Sequence, residues 1–292
     1  MMRDDFCAFI LTHGRPDRVH TYKTLKRAGY TGKIYIVIDD EDKTADEYRA
    51  KFGDMVLQFC KKEIADRIDE GDNFQDRRAI IYARNACWDL AKQVGCKYFI
   101  QLDDDYTHFG TRFGPDGIIY SSRVVTNLDE VFSITINYFS NTPFLTLAYA
   151  QGADFMGGPA CCGIKIKRKA MNTFICSTEK QFQFFGRVNE DVNTYVLLGL
   201  RGDLLGTLTH YYIVQLTTQK NAGGMADMYL DTGTYIKTFY SVMYAPSCVK
   251  IGTLGDPGKH GATSAHYRIH HKINWHKTAP KILREEWKKV QP

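Results

Sequence analysis

Three apolar runs, each stopping at a polar or acidic loop, constrain this chain more than any other feature. Phe6 to Thr12 ends at His13-Gly14-Arg15-Pro16, Lys33 to Ile38 ends at Asp39-Asp40-Glu41-Asp42, and Tyr98 to Leu102 runs into Asp103-Asp104-Asp105. Glycine and proline break the first run into a loop, and the second has the β-branched content of a buried strand. Between them, Asp17 to Arg27 and Lys43 to Phe52 read as helices, with Met55 to Phe59 as a further short strand. From Ile80 the apolar positions Ala83, Cys87, Leu90, Ala91 and Val94 recur at three and four, and Gly95 follows as a helix C-cap should. Strand, helix and strand in this order force parallel pairing with right-handed crossovers, and ligands in such sheets bind beyond the carboxyl ends of the strands. All three polar loops lie at that edge.

The remainder is less regular. Residues 61 to 76 are rich in charge and read as a surface loop. Ile134 to Tyr138 and Leu145 to Ala150 fit helix or strand equally. No repeat, low-complexity tract or linker divides the chain, so a single α/β domain over residues 1–292 is expected. With 44% apolar and 24% charged residues the chain can build a large core. Eight cysteines without a Cys-x-x-Cys pair point to free thiols in a reducing compartment. The formal charge of +5 admits a polyanionic partner, but an ordinary solvated surface carries the same excess. The acidic start, Met1-Met2-Arg3-Asp4-Asp5, lacks the basic region of a signal peptide. No run approaches the ~20 apolar residues of a membrane helix. A soluble cytoplasmic protein with no membrane partner is expected, in the host cytoplasm if the chain is phage-encoded.

Asp103, Asp104 and Asp105 are the chemical centre of the sequence. Three adjacent carboxylates at a strand end repel one another unless a cation is near. In an extended chain the side chains of 103 and 105 face the same side. Mg²⁺ or Mn²⁺ suits such a pair, because a hard cation held by one or two carboxylates completes its shell with water and substrate phosphates. An acidic turn capping the next element reads the same way in isolation.

Tyr82-Ala83-Arg84-Asn85, an amphipathic helix, and then an apolar strand ending in three aspartates resemble the core of GT-A glycosyltransferases. Within those, Thr12-His13-Gly14-Arg15-Pro16, Tyr35-Ile36-Val37-Ile38-Asp39-Asp40, the Asp triplet and Asn189-Glu190-Asp191 together resemble the phage enzymes associated with TET/JBP dioxygenases. Those enzymes are related to base J glucosyltransferase, and the similarity spans roughly residues 5 to 285. The resemblance implies a GT-A-like, Rossmann-like mixed and mostly parallel sheet flanked by helices. Residues 5–125 would form the nucleotide-sugar half and 126–292 the acceptor half. It further implies that Thr12, His13, Gly14, Arg15, Asp39, Asn85 and Asp104 line a UDP-sugar donor. Arg84 would steady the diphosphate or sugar, Asp103 would approach the ribose or sugar, and Asp105, with Asp103 and a late histidine, His271 or else His270 or His266, would bind the metal. Gly157 and Gly158, in a Gly-rich stretch that a simple turn also explains, would let backbone approach the sugar.

Asn189-Glu190-Asp191 precedes Val192, Tyr195 and Val196 at helical spacing. Acids in a first helical turn are ordinary, since they complement the helix dipole. By resemblance to inverting enzymes, Asp191, or failing it Glu190, would remove the acceptor hydroxyl proton. The basic and aromatic residues Lys259, His260, His270, Lys272 and Trp275 read either as contacts to nucleic-acid phosphate and an extruded base, or as a basic edge with a packed Trp. The resemblance implies transfer to the hydroxymethyl group of 5-hydroxymethyluracil or 5-hydroxymethylcytosine in phage DNA. The rivals are a glycan or protein acceptor, a nucleotidyltransferase, for which His13-Gly14-Arg15-Pro16 is a poor loop, and a non-catalytic DNA-binding module.

Overall fold

β1 (Phe6–Leu11) is buried at every position and sits between parallel β2 (Lys33–Asp39) and parallel β4 (Tyr98–Asp103). Because side chains alternate across a strand, Phe6, Ala8 and Ile10 enter one core and Cys7, Phe9 and Leu11 the other. On the first face lie α1 (His20–Arg27), α2 (Ala45–Phe52) and α5 (Leu128–Ser140); on the second lie α4 (Ile81–Gln93) and α6 (Glu190–Leu200). Each fully buried Phe, Ile or Leu contributes about 1.5–3 kcal/mol, so β1, with both faces covered, is the spine of the molecule. The structure is a computed structural model and describes residues 2–74, 76–113, 119–151, 163–216, 233, 235–256 and 266–280.

The central sheet has ten strands. The other seven are β3 (Val56–Phe59), β5 (Tyr106–Phe113), β6 (Ile119–Val124), β7 (Phe144–Gln151), β8 (Ile164–Lys165), β9 (Phe174–Ser177) and β10 (Leu204–Gln215). Their order is β3-β2-β1-β4-β9-β7-β10-β5-β6, with β8 paired to β10 off this path. From the pairings, β1, β2, β3, β4, β6, β7 and β10 run one way and β5, β8 and β9 the other. The sheet is therefore mixed and mostly parallel, flanked by helices. It runs across residue 125, because β5 and β6 join it through β10. A separate antiparallel pair, β11 (Val249–Asp256) with β12 (His266–Ile273), packs against the helix Ile236–Tyr244.

Several elements differ from the sequence expectation. The first helix begins at His20, behind a 3-10 turn at Pro16–Arg18. Residues 61 to 76 are not simply a surface loop: Lys61–Ala65 forms the short helix α3 with Lys61 and Ile64 buried. Beyond it the backbone carbonyls of Asp69 and Glu70 accept from Gly186 and Arg187 N–H at 2.8 Å each, and Asp72 pairs with Arg187. Charge density suggested solvent, but Lys61 pairs with Asp39, Arg67 with Asp89, and Asp72 with Arg187 of the distant second half. Ile134 to Tyr138 resolves as helix within α5, and Leu145 to Ala150 as strand within β7. Gly95 ends α4 as expected, with φ +68°, a backbone region that disfavours side chains other than glycine. Among the described residues no helix is long and apolar enough to cross a membrane.

Candidate active site

The register of the central strands explains why distant sequence motifs meet. Leu11 pairs with Asp103 across β1 and β4, so the residues that follow each strand emerge side by side at the sheet's carboxyl edge. β1 has its two neighbours reached by crossovers on opposite sides, which makes this edge a topological switch point. Thr21 pins the acidic tip: its hydroxyl donates to the Asp103 carbonyl at 2.6 Å, its N–H to the Asp104 carbonyl at 3.1 Å, and it accepts from Tyr106 N–H. The Asp105 carbonyl accepts from Leu216 N–H at 3.1 Å.

The three carboxylates have different fates. Asp104 turns inward, where the Thr12 hydroxyl donates to it at 2.7 Å and Arg15 approaches to 3.2 Å. Thr12 in turn lies 2.9 Å from the Tyr48 hydroxyl, which accepts from Arg15 N–H at 2.8 Å. Asp103 accepts from the Arg84 guanidinium at 3.1 Å, and the same guanidinium donates to Glu190 at 2.9 Å. Arg84 is thus a buried bridge between β4 and the first turn of α6, flanked by the rings of Phe174 and Phe184 at 5.0 and 5.7 Å. Its Nη1 is buried without a hydrogen-bond partner among the described residues. Among the described residues Asp105 has no ion pair of this kind, and its buried Oδ1 has no hydrogen-bond donor. A buried carboxylate oxygen without a donor is costly.

Burial pushes Asp103 up to about 7, with Arg84 opposing and the Asp105, Glu190 and Asp104 charges assisting. Asp105 is pushed up to about 6 by burial and the Asp104 charge. Asp191 is pushed up to about 6 by burial and the adjacent Glu190 charge. For an acid whose folded pKa is raised, the folded state holds its proton more tightly than the unfolded chain. Such a group reduces stability progressively as pH climbs from its ordinary value, near 4, through its folded value, and not below. Asp105→Asn is therefore expected to raise Tm at pH 8 and leave it unchanged at pH 4. Thermal unfolding of both proteins across this range checks it, and an equal shift at both pH values contradicts it.

The nucleotide-side residues form a second network. His13 Nδ1 lies 2.7 Å from Asp39, and Lys61 Nζ pairs with the other Asp39 oxygen at 2.9 Å. Burial pulls Asp39 up, but the bonds from His13 and Lys61 prevail and hold it below the ordinary carboxylate range; the Asp39 bond raises His13. Gly14, at φ +67°, donates its N–H to Asp42 at 2.8 Å. Tyr48, Asp42, Lys61 and Thr21 were not singled out from the sequence. Only the run of acids after β2 hinted at one of them.

Other expected residues are engaged elsewhere. Asn85, expected to line the donor, is bonded within the fold: its amide nitrogen donates to the carbonyls of Ile81 and Phe184, and its oxygen accepts from Phe184 N–H at 2.9 Å. The Trp275 ring, expected either to stack on a base or to pack, lies on Tyr195 of α6 at 5.6 Å and 17°. Among the described residues no three His, Cys, Asp or Glu side chains converge to hold a metal ion. Asp103, Asp105 and His271 are accordingly not assembled as a ligand set, because Asp103 leans to Arg84 and His271 to Asn189. A magnesium-like ion needs only one or two protein carboxylates when diphosphate supplies the rest. Lys272 is exposed on β12, and the His270 ring lies 4.1 Å from that of His271. Gly157, Gly158, Lys259 and His260 lie outside the described residues.

Comparison with known proteins gives three findings. No curated protein matches the chain. Among solved structures, glucosyl-3-phosphoglycerate synthase from Mycobacterium tuberculosis, in complex with Mn²⁺, UDP and phosphoglyceric acid, is similar at TM-score 0.43 and 11% identity, over 92% of this chain and 87% of that one. S. aureus TarS (residues 1–349) is similar at TM-score 0.40 and 12% identity, over 82% of this chain and 65% of that one. A family profile described as TET-Associated Glycosyltransferase matches residues 6–224, which takes in the Asp39 loop, Arg84, the Asp triplet and the Glu190-Asp191 turn. This chain belongs to the TET-associated glycosyltransferases and is an enzyme of sugar transfer.

Proposed function

We propose that the enzyme moves a sugar from a UDP-sugar to the hydroxymethyl group of 5-hydroxymethyluracil or 5-hydroxymethylcytosine in phage DNA, with Mn²⁺ or Mg²⁺ held at Asp105. The bare buried oxygen of Asp105 carries the metal assignment. The remaining open side of Asp103, whose side chain keeps 23% of its surface exposed, suits the sugar or ribose. Bound there, the ion would offset the charge that develops on the departing diphosphate. The buried Arg84 guanidinium, 3.1 Å from Asp103, supplies a fixed positive charge beside it. Asp191 takes the acceptor hydroxyl proton: its Oδ1 is oriented by Val192 N–H at 2.8 Å, whereas Glu190 is held by Arg84. In-line attack by that oxygen breaks the bond between the anomeric carbon and the diphosphate, which gives inversion.

The DNA acceptor is supported by the family's association with TET dioxygenases and by the basic C-terminal edge around Lys272. The packing of Trp275 on Tyr195 favours a second reading, a glycan or protein acceptor, since it removes the aromatic side chain assigned to a displaced base. The deciding experiment offers labelled UDP-sugars to DNA containing 5-hydroxymethylpyrimidine and to unmodified DNA. Label confined to the hydroxymethylated strand is expected; equal or no incorporation refutes the acceptor.

A further inference from the structure

The loop after β1 is tied at three successive residues to the stretch that runs from the end of β2 into α2. His13 Nδ1 lies 2.7 Å from Asp39, Gly14 N–H donates to Asp42 at 2.8 Å, and Arg15 N–H donates to the Tyr48 hydroxyl at 2.8 Å. A loop that cradles phosphate does so with free backbone N–H groups. Here those of Gly14 and Arg15 are already taken, so an anion at this loop has to be met by a side chain. The Arg15 side chain keeps 23% of its surface exposed.

A closed ring of polar groups holds that side chain, and its hydrogen count fixes every direction. Asp104 Oδ2 faces both Arg15 Nη2 at 3.2 Å and Thr12 Oγ1 at 2.7 Å. A guanidinium only donates, so this oxygen is an acceptor and the single Thr12 hydroxyl proton points to it. Thr12 Oγ1 then accepts from the Tyr48 hydroxyl at 2.9 Å, and the Tyr48 oxygen accepts from Arg15 N–H. The ring thus runs from the Arg15 backbone through Tyr48, Thr12 and Asp104 to the Arg15 guanidinium, and neither hydroxyl has a second proton to give elsewhere. Thr12, Tyr48 and Asp104 are all buried, and the Tyr48 ring is stacked on Phe52 at 6.5 Å and 27°. Because Asp104 immediately precedes Asp105, the ring sets the guanidinium next to the carboxylate assigned to the ion and diphosphate.

We infer that Tyr48 is a positioning residue of the donor site: its hydroxyl, acting through Thr12 and Asp104, holds the Arg15 guanidinium for a phosphate oxygen of a nucleoside diphosphate. The inference rests on the reading of this edge as the UDP-sugar site, and adds to it a buried residue that acts on the donor only through Arg15.

Tyr48→Phe keeps the packed ring and removes only its hydroxyl; Thr12→Val does the same at Thr12, and Thr12→Ser restores the hydroxyl there. Calorimetry on the full chain measures UDP binding with Mn²⁺, and competition against UDP measures uridine, which lacks the phosphates. Tyr48→Phe and Thr12→Val are each expected to bind UDP about two- to ten-fold more weakly, the weight of one hydrogen bond. Their uridine affinity, and both affinities of Thr12→Ser, should stay at the wild-type level. Arg15→Ala should lose at least as much for UDP, and adding Tyr48→Phe to it should weaken binding no further, because the two residues act as one unit. Equal weakening for UDP and uridine would make Tyr48 a general support of the loop and overturn the inference. Additive losses in the double variant, or unchanged UDP affinity in the folded single variants, would overturn it as well. Thermal unfolding shows which variants are folded, and Thr12→Val with Thr12→Ser carries the test if Tyr48→Phe is not. A wild type that binds UDP no better than uridine would instead fail the donor reading itself, whereas a wild type that prefers UDP, with Tyr48→Phe keeping that preference in full, sinks the role of Tyr48 alone.

Discussion

Replacing Asp191 by Asn is expected to slow sugar transfer by about 10²–10⁴-fold, the usual weight of a general base, with donor affinity nearly unchanged. The side chain sits in the first turn of α6, where Val192 N–H fixes one oxygen at 2.8 Å. Its neighbour Glu190 is held by Arg84 at 2.9 Å and is not placed to exchange protons with an acceptor. Burial and the Glu190 charge push Asp191 up to about 6, close to the operating range of an effective base. Wild-type turnover should therefore rise with pH through about that value, and the variant should lose this limb. Steady-state rates at saturating donor across pH, with UDP affinity by calorimetry, separate the roles. If Asp191→Asn loses donor binding instead, or turns over normally, Asp191 is an ordinary helix-start acid.

Arg84→Leu is expected to be the most destabilising single change at the site. Arg84 is 3% exposed and bridges Asp103 and Glu190, two carboxylates from β4 and α6. Removing it leaves both without their cation, and breaking a buried pair in this way costs about 3–5 kcal/mol, or a fall in Tm of roughly 10 °C. Transfer should fall below detection as well, because Asp103 and the first turn of α6 lose their common anchor. Urea denaturation measures the loss. Arg84→Leu with Glu190→Gln should recover part of the stability, since one uncompensated charge is removed. A single variant as stable as wild type would mean that the bridge is not formed in solution.

The edge at which the site forms was legible in the sequence because three strands announce it, each passing from apolar side chains to a polar loop. Family motifs then brought Arg84, the Asp triplet and Glu190-Asp191 into view. What the sequence withheld is the partner each residue takes. Period-2 alternation says that 103 and 105 share a side, but not that Asp103 is claimed by a guanidinium from α4 while Asp105 is left bare. Asn85 stands in a helix beside Arg84, yet its amide is used up by Ile81 and Phe184, a residue 99 positions away. Lys61 looked like solvated charge until β3 delivered it to Asp39. Antiparallel β9, lying between β4 and β7, also escaped notice, because four residues bounded by polar segments carry too little pattern.

Asp105, at the tip of β4, is expected to hold a divalent ion through which the nucleotide is gripped. Calorimetric titration of UDP into the wild type and Asp105→Asn, each with Mn²⁺ and with EDTA, tests it most directly. The account predicts UDP uptake by the wild type that depends on Mn²⁺, and weak, metal-independent uptake by the variant. Equal UDP affinity of the wild type in Mn²⁺ and in EDTA, or full Mn²⁺ dependence retained by Asp105→Asn, would contradict it.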